Sequence, residues 1–145
     1  MVIKNKILIL LFALFFVNTA FAQHQEGKTF TISGVTYKIT STNPREVEVS
    51  TVSMDVRRQE TVEIPAQVSY TYHNQTYEYD VTAIGETAFK GCDNTSGIRN
   101  CNNAYNYLGI KTIILPSTIT TIGEKAFICC THLESINIPE SVTSI

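Results

Sequence analysis

Residues 116–123, Pro-Ser-Thr-Ile-Thr-Thr-Ile-Gly, return 23 positions later as Pro-Glu-Ser-Val-Thr-Ser-Ile, ending at Ile145. A repeat of this length with apolar residues in fixed register restricts the chain more than its composition does. One such unit is too short to bury its own apolar face and must stack on its neighbours. The expected architecture is therefore a solenoid, in which regular exposed surface invites binding and no single residue announces chemistry.

One full unit spans 110–130, with apolar residues at Ile110, Ile113, Leu115, Ile119, Ile122, Ala126, Phe127 and Cys130. The next places Leu133, Ile136, Ile138, Val142 and Ile145 at the same intervals. Ile113 with Leu115, and Ile136 with Ile138, show the two-residue spacing of a strand with one buried face. Pro116 and Pro139 follow directly; lacking an N–H, each marks a turn of the coil. Gly123 is expected to permit a backbone bend, and Ala126, Phe127 and Cys130 suit one short helical or 3₁₀ turn.

Earlier units carry insertions. Val81, Ile84, Gly85, Ala88, Phe89 and Cys92 match Ile119, Ile122, Gly123, Ala126, Phe127 and Cys130 at an offset of 38, one period plus fifteen inserted residues. Val62, Ile64 and Pro65 match Ile113, Leu115 and Pro116, with a second insertion between Val68 and Val81. Gln59 replaces the apolar residue at Ile110 and Leu133, which fits a capping coil whose outer side meets water.

The pattern Leu133-x-x-Ile136-x-Ile138-Pro139-x-x-Val142-Thr-x-Ile145, with Ile122-Gly123-x-x-Ala126-Phe127-x-x-Cys130, resembles the BspA-type leucine-rich repeat family. The resemblance covers residues 59–145, and residues 28–58 resemble the β-rich leader that often precedes such repeats. It implies a mainly β leucine-rich-repeat solenoid with short helical or 3₁₀ turns, preceded by a small hairpin-rich N-terminal cap. Ile84, Phe89, Cys92, Ile113, Leu115, Ile122, Phe127, Cys130, Ile136 and Ile138 would form its core. Members are typically secreted or surface proteins of bacteria living with animal hosts, and occur in some protozoa. The implied use is adhesion or macromolecular binding, with no ligand specified.

The first 22 residues read as an export signal. Lys4 and Lys6 precede an apolar run over 7–17, and Ala20-Phe21-Ala22 places small residues at the cleavage positions, so the mature chain would start at Gln23. A transmembrane helix needs about 20 apolar residues, and Asn18 and Thr19 interrupt this run. No membrane insertion is expected after cleavage. Removing Lys4 and Lys6 from the eleven lysines and arginines leaves nine against thirteen acidic residues. That balance gives no electrostatic case for nucleic acid. Because the array stops before the Gly-x-x-Ala-Phe-x-x-Cys half of its last unit, Leu133, Ile136 and Ile138 would lie on an uncapped edge. The expectation is a piece of a longer repeat protein; the rival is an open end covered by another chain.

Between signal and repeats, residues 23–58 read as β-rich. Two strands flank Ser33-Gly34, a turn falls at Asn43-Pro44, and Glu46-Val-Glu-Val-Ser-Thr-Val52 alternates as a half-buried strand. The insertion at about 69–80 reads as a hairpin. A two-residue turn at Asn74-Gln75 would set Tyr72 against Tyr77, Tyr70 against Tyr79 and Val68 against Val81. Four tyrosines on one face could stack on a sugar or peptide, or pack inward; continuity with Val68 and Val81 favours packing.

Cys92 and Cys130 share a repeat position and read as small buried thiols. Cys101 lies in the insertion at about 93–108 and Cys129 abuts Cys130. An exported chain can hold disulfides; four cysteines allow three full pairings, among which the sequence does not choose. Cys129-Cys130-x-His132 superficially suggests metal or a thiol nucleophile. A zinc site needs more ligands, and nucleophilic catalysis needs an orienting group and an oxyanion site. Neither an enzyme nor a cofactor is expected. The insertion at about 93–108 carries five asparagines with Tyr105 and Tyr107, so it is either a recognition loop or a tolerated surface excursion.

These readings converge on an exported binding module, secreted, periplasmic or on the cell surface. Its partner would be a protein or glycan of a host matrix or another cell. Lys111, Thr112, Ile114, Glu134, Ser135 and Asn137 would form an exposed ribbon, with Tyr105 and Tyr107 as further contact candidates. The alternative is an N-terminal cap and spacer without binding activity of its own.

Overall fold

The structure is a computed structural model that describes residues 25–91 and 109–145. The signal segment, Cys92, Cys101, Tyr105 and Tyr107 lie outside the described residues. Strand β1 (Thr29–Ile32) turns at Ser33-Gly34 into β2 (Val35–Thr42). Both turn residues take positive φ, 48° and 81°, and a Cβ on Gly34 would lie 2.5 Å from Ser53 Oγ, so glycine is needed there twice over. The chain reverses at Asn43-Pro44 into β3 (Arg45–Val52), and Val47, Val49 and Val52 fill the inner face. Ser53 then caps a single helical turn, α1 (Met54–Arg57), by accepting a hydrogen bond from the Val56 amide.

The remaining strands are β4 (Thr61–Glu63), β5 (Gln67–Tyr72), β6 (Gln75–Ile84), β7 (Thr112–Ile114), β8 (Thr121–Ile122) and β9 (Ser135–Asn137). They make two sheets. One has the order β1-β2-β3-β6-β5, with β8 also paired to β6; the other is β4-β7-β9. The fold is mainly β.

Repeat units stack in parallel register. In the second sheet Val62 pairs with Ile113 and Ile113 with Ile136. In the first, Ile84 pairs with Ile122, and Thr121 bridges to Ser144. The same backbone bonds recur from coil to coil: Thr112 donates to Glu60 O at 3.0 Å and Ser135 donates to Lys111 O at 3.0 Å. Thr120 likewise donates to Thr82 O and Thr143 to Thr120 O. Phe89 and Phe127 sit in successive coils with ring centroids 5.4 Å apart, as their shared repeat position requires.

Four expectations change. First, β3 does not stand apart as a leader: Val47 and Val49 pair in parallel with Val81 and Ile84, extending the repeat ladder into the front end. Second, residues 124–130 form successive turns rather than a helix. Ala126, Ile128 and Cys130 each donate to the carbonyl three residues back, but Lys125 (φ 55°) and Cys129 (φ 61°) are left-handed and interrupt any helix. Third, Gly123 provides close approach rather than a bend. A Cβ there would meet Glu86 N at 2.6 Å, because the coils touch backbone to backbone. Fourth, burial fades along the array. Ile84, Phe89, Ile113, Leu115 and Ile122 are buried, whereas Phe127, Cys130 and Ile136 are only half-buried, and Ile138 is 47% exposed. Its counterpart Leu115 is 3% exposed. Leu115 has the next coil over it; no described residue stacks over Ile138.

The hairpin register also differs from the expected one. The turn is His73-Asn74, both at positive φ (47° and 62°), so Tyr72 pairs with Gln75, Tyr70 with Tyr77 and Val68 with Tyr79. A two-residue turn with both residues left-handed matches the strand twist, and asparagine tolerates that conformation better than glutamine does. The four tyrosines still share a face, because the shift moves the pairing by two residues. That face packs inward. The sheet curls until Phe30 in β1 stacks on Tyr70 in β5 at 4.6 Å and approaches Tyr79 at 5.7 Å.

Candidate binding surface

Sheet β4-β7-β9 presents three outward columns: Glu60, Lys111 and Glu134; Thr61, Thr112 and Ser135; Glu63, Ile114 and Asn137. Strand alternation turns Val62, Ile113 and Ile136 inward and the second and third columns outward; Glu60, Lys111 and Glu134 stand just before their strands and are exposed. Parallel neighbours lie about 4.8 Å apart, so the ribbon expected from the sequence exists as a surface. Lys111 is exposed, with Nζ 2.8 Å from Glu60 Oε1. That hydrogen bond and charge hold the Lys111 ammonium above the ordinary lysine range and the Glu60 carboxyl below its own, and the field of Glu134 adds to the Lys111 shift. Thr112 is half-buried, and Glu134 and Ser135 are exposed. Ile114, 40% exposed, stands between Glu63 and Asn137 as the apolar centre of the ribbon.

Asn137 does something the sequence reading did not anticipate. Its Oδ1 accepts from the Leu115 amide at 2.7 Å and its Nδ2 donates to the Leu115 carbonyl at 2.9 Å. It clamps the preceding coil where Pro116 ends that strand's ladder, so its amide is engaged within the protein. Thr118, Ser141, Thr120 and Thr143 behave alike, each hydroxyl donating to a carbonyl of the coil before.

The cysteine cluster separates into independent parts. Cys129 is disulfide-bonded. The Cys130 thiol, half-buried, donates to Phe89 O of the preceding coil at 3.0 Å. His132 is exposed, with Nδ1 3.2 Å from Thr131 Oγ1. Among the described residues no group of histidines, cysteines and carboxylates is arranged to hold a metal ion, and no helix is long and apolar enough to cross a membrane.

One feature of the front end escaped the sequence. A cleft of ≈ 530 Å³ opens between the β2–β3 turn and the base of the β5–β6 hairpin, lined by Thr42, Asn43, Arg45, Gln67, Glu78 and Asp80. These residues are far apart in the chain. Glu46 pairs with Asp80 across β3 and β6, and Gln67 pairs with Asp80 across β5 and β6, which gathers them. Gln67 Nε2 donates to Asp80 Oδ1 at 2.7 Å, and the Arg45 guanidinium lies over the Tyr77 ring at 5.6 Å.

Stacked parallel coils with asparagine and hydroxyl side chains bonded from coil to coil define a leucine-rich repeat protein. Residues 69–145 match the model described as the BspA type leucine rich repeat region (6 copies), and the chain belongs to that family. Among solved structures, a leucine-rich repeat protein from Bacteroides ovatus is 36% identical (TM-score 0.55), over 78% of this chain and 24% of that one. One from Bacteroides capillosus is 24% identical (TM-score 0.57), over 79% of this chain and 67% of that one. A leucine rich cell surface protein from Faecalibacterium prausnitzii is 24% identical (TM-score 0.55), over 83% of this chain and 26% of that one. The chain thus spans about a quarter of the length of two of these three proteins. No curated protein matches it.

Proposed function

We propose that this chain is an exported, surface-displayed β-solenoid binding module that recognises a protein or glycan partner through many weak contacts along one ribbon. The observation that carries this reading is the in-register outward column at Glu63, Ile114 and Asn137, with Ile114 exposed at its centre. An isolated exposed isoleucine on a regular strand surface is a natural anchor, and Lys111, Thr112, Glu134 and Ser135 supply polar contacts around it. The export-type segment over 1–22 and the cell-surface relative from Faecalibacterium prausnitzii support the location. No catalytic step enters this mechanism.

The test measures binding of the purified chain to immobilised extracellular-matrix proteins and to cells. Ile114→Glu should reduce binding by roughly tenfold, the effect of losing a central apolar anchor. Unchanged binding in Ile114→Glu and Lys111→Glu together removes the ribbon from the mechanism. A second reading, a cap and spacer without binding of its own, is favoured by Asn137, whose side chain holds coils together rather than facing a partner. Under that reading the wild-type chain captures nothing that it does not capture after ribbon substitution.

A further inference from the structure

Strand β5 ends the larger sheet, and its outer edge carries no described strand. Tyr72 and Gln75 flank the two-residue turn as a hydrogen-bonded pair, so Val68, Tyr70 and Tyr72 direct their backbone groups to β6. The amides and carbonyls of Gln67, Ser69 and Thr71 therefore point away from β6, and no described backbone group pairs with them. Phe30 stacks on the Tyr70 ring at the inner face, but its strand does not pair with this edge.

Exposed edges are usually defended by shortness, charge, proline or a bulge. The outer strands β1, β4 and β9 are short, with four, three and three residues. β5 has six, Gln-Val-Ser-Tyr-Thr-Tyr, without charge or proline and with an unbroken register against β6.

The same six residues define what fits the edge. Two copies paired antiparallel about a two-fold axis at Tyr70 set Tyr70 against the second copy's Tyr70, Val68 against its Tyr72 and Ser69 against its Thr71. Ser69 and Thr71 then exchange main-chain bonds, and the tyrosines meet at the closer, non-hydrogen-bonded position. The other side of the strand already uses these combinations: Val68 faces Tyr79, Tyr70 faces Tyr77, and the Thr71 and Thr76 hydroxyls are 2.9 Å apart. No charge on β5 opposes the pairing.

We infer that β5 is a homodimer edge, where two copies join their larger sheets antiparallel with Tyr70 on the two-fold axis. One strand a side is a small contact, so the dimer forms with rising concentration. The inference stands without the ribbon reading, although a dimer would present two ribbons on one particle.

In sedimentation velocity, the average mass of the purified chain should rise from one copy towards two with concentration. Over the same range the Ser69 and Thr71 amides should slow in hydrogen exchange, while Val68, Tyr70 and Tyr72, already bonded to β6, keep their protection. Ser69→Lys combined with Thr71→Lys sets like charges opposite each other and should weaken dimerisation roughly tenfold. Ser69→Lys combined with Thr71→Glu sets opposite charges together and should restore it. Both side chains are exposed, so neither combination touches the core. A chain that stays monomeric up to ~1 mM, or a dimer indifferent to these substitutions, overturns the inference. So does a dimer lost in Ile138→Glu instead, which would belong to the last coil, or a monomer that takes up an unrelated extended peptide at β5.

Discussion

Phe89 and Phe127 occupy one repeat position, yet they should not be worth the same. Phe89 is 1% exposed in the buried core; Phe127 is half-buried against it. Phe89→Ala should cost about 3–5 kcal/mol, the range for deleting a buried ring, and Phe127→Ala roughly half as much. Urea unfolding of the two variants decides; equal losses would mean that the outer coil covers its ring as fully as the inner one does. Gly123→Ala forces a Cβ to within 2.6 Å of Glu86 N, and backbone cannot retreat like a side chain, so about 1–3 kcal/mol should be lost. Asn137→Ala strands the Leu115 amide and carbonyl and should cost about 1–3 kcal/mol. Asn137→Asp keeps only the bond from the Leu115 amide and should rescue part of it. A neutral Asn137→Ala would return that residue to the contact ribbon. The phenylalanine pair was legible because the period aligned it. Asn137 was not, because an outward polar residue on a strand reads the same whether it meets a partner or the neighbouring backbone.

At the level of elements, periodicity found β4, β7 and β9, where apolar residues alternate, and missed the ladder through β3, β6 and β8. Ile119 and Ile122 are three apart, which hides the two-residue strand Thr121–Ile122 inside a turn-like segment. Val47 and Val49 alternate cleanly, but nothing local says that their partners are Val81 and Ile84 rather than a separate leader. The cleft inherits that blindness. Thr42, Arg45, Gln67 and Asp80 become neighbours only through the β3–β6 pairing. The hairpin error was smaller, a turn displaced by one residue, and it exposes a testable dependence. His73 and Asn74 both adopt left-handed backbone, so His73→Val, β-branched, should destabilise by about 1–2 kcal/mol, whereas Asn74→Gly should be neutral or slightly stabilising. The thermal midpoints of the two variants should therefore move apart. A parallel fall in both would place the turn elsewhere.

Across the whole molecule, the question is whether the curled front end and the stacked coils unfold together. The buried tyrosines supply a way to ask. Burial pushes the phenols of Tyr37 and Tyr79 up to about 12, and the Arg45 charge only partly offsets this at Tyr79. An unfolded tyrosine ionises near pH ~10. Below that value both states hold the protons and the full stabilisation is present. As the pH rises from about 10 towards 12, the unfolded chain loses these protons first, so stability falls with rising pH. Tyr37→Phe removes one of the two groups and should make that decline shallower. Both rings lie in the sheet whose β6 continues into the repeat ladder through β8. If that continuity couples the two regions, tyrosinate absorbance and the far-ultraviolet signal of the β-strands should change at one pH. Thiol accessibility at half-buried Cys130, whose Sγ donates to Phe89 O of the preceding coil, should rise with them. Tyrosines that ionise while Cys130 stays protected would show that the β3–β6 pairing joins two regions that nonetheless melt separately.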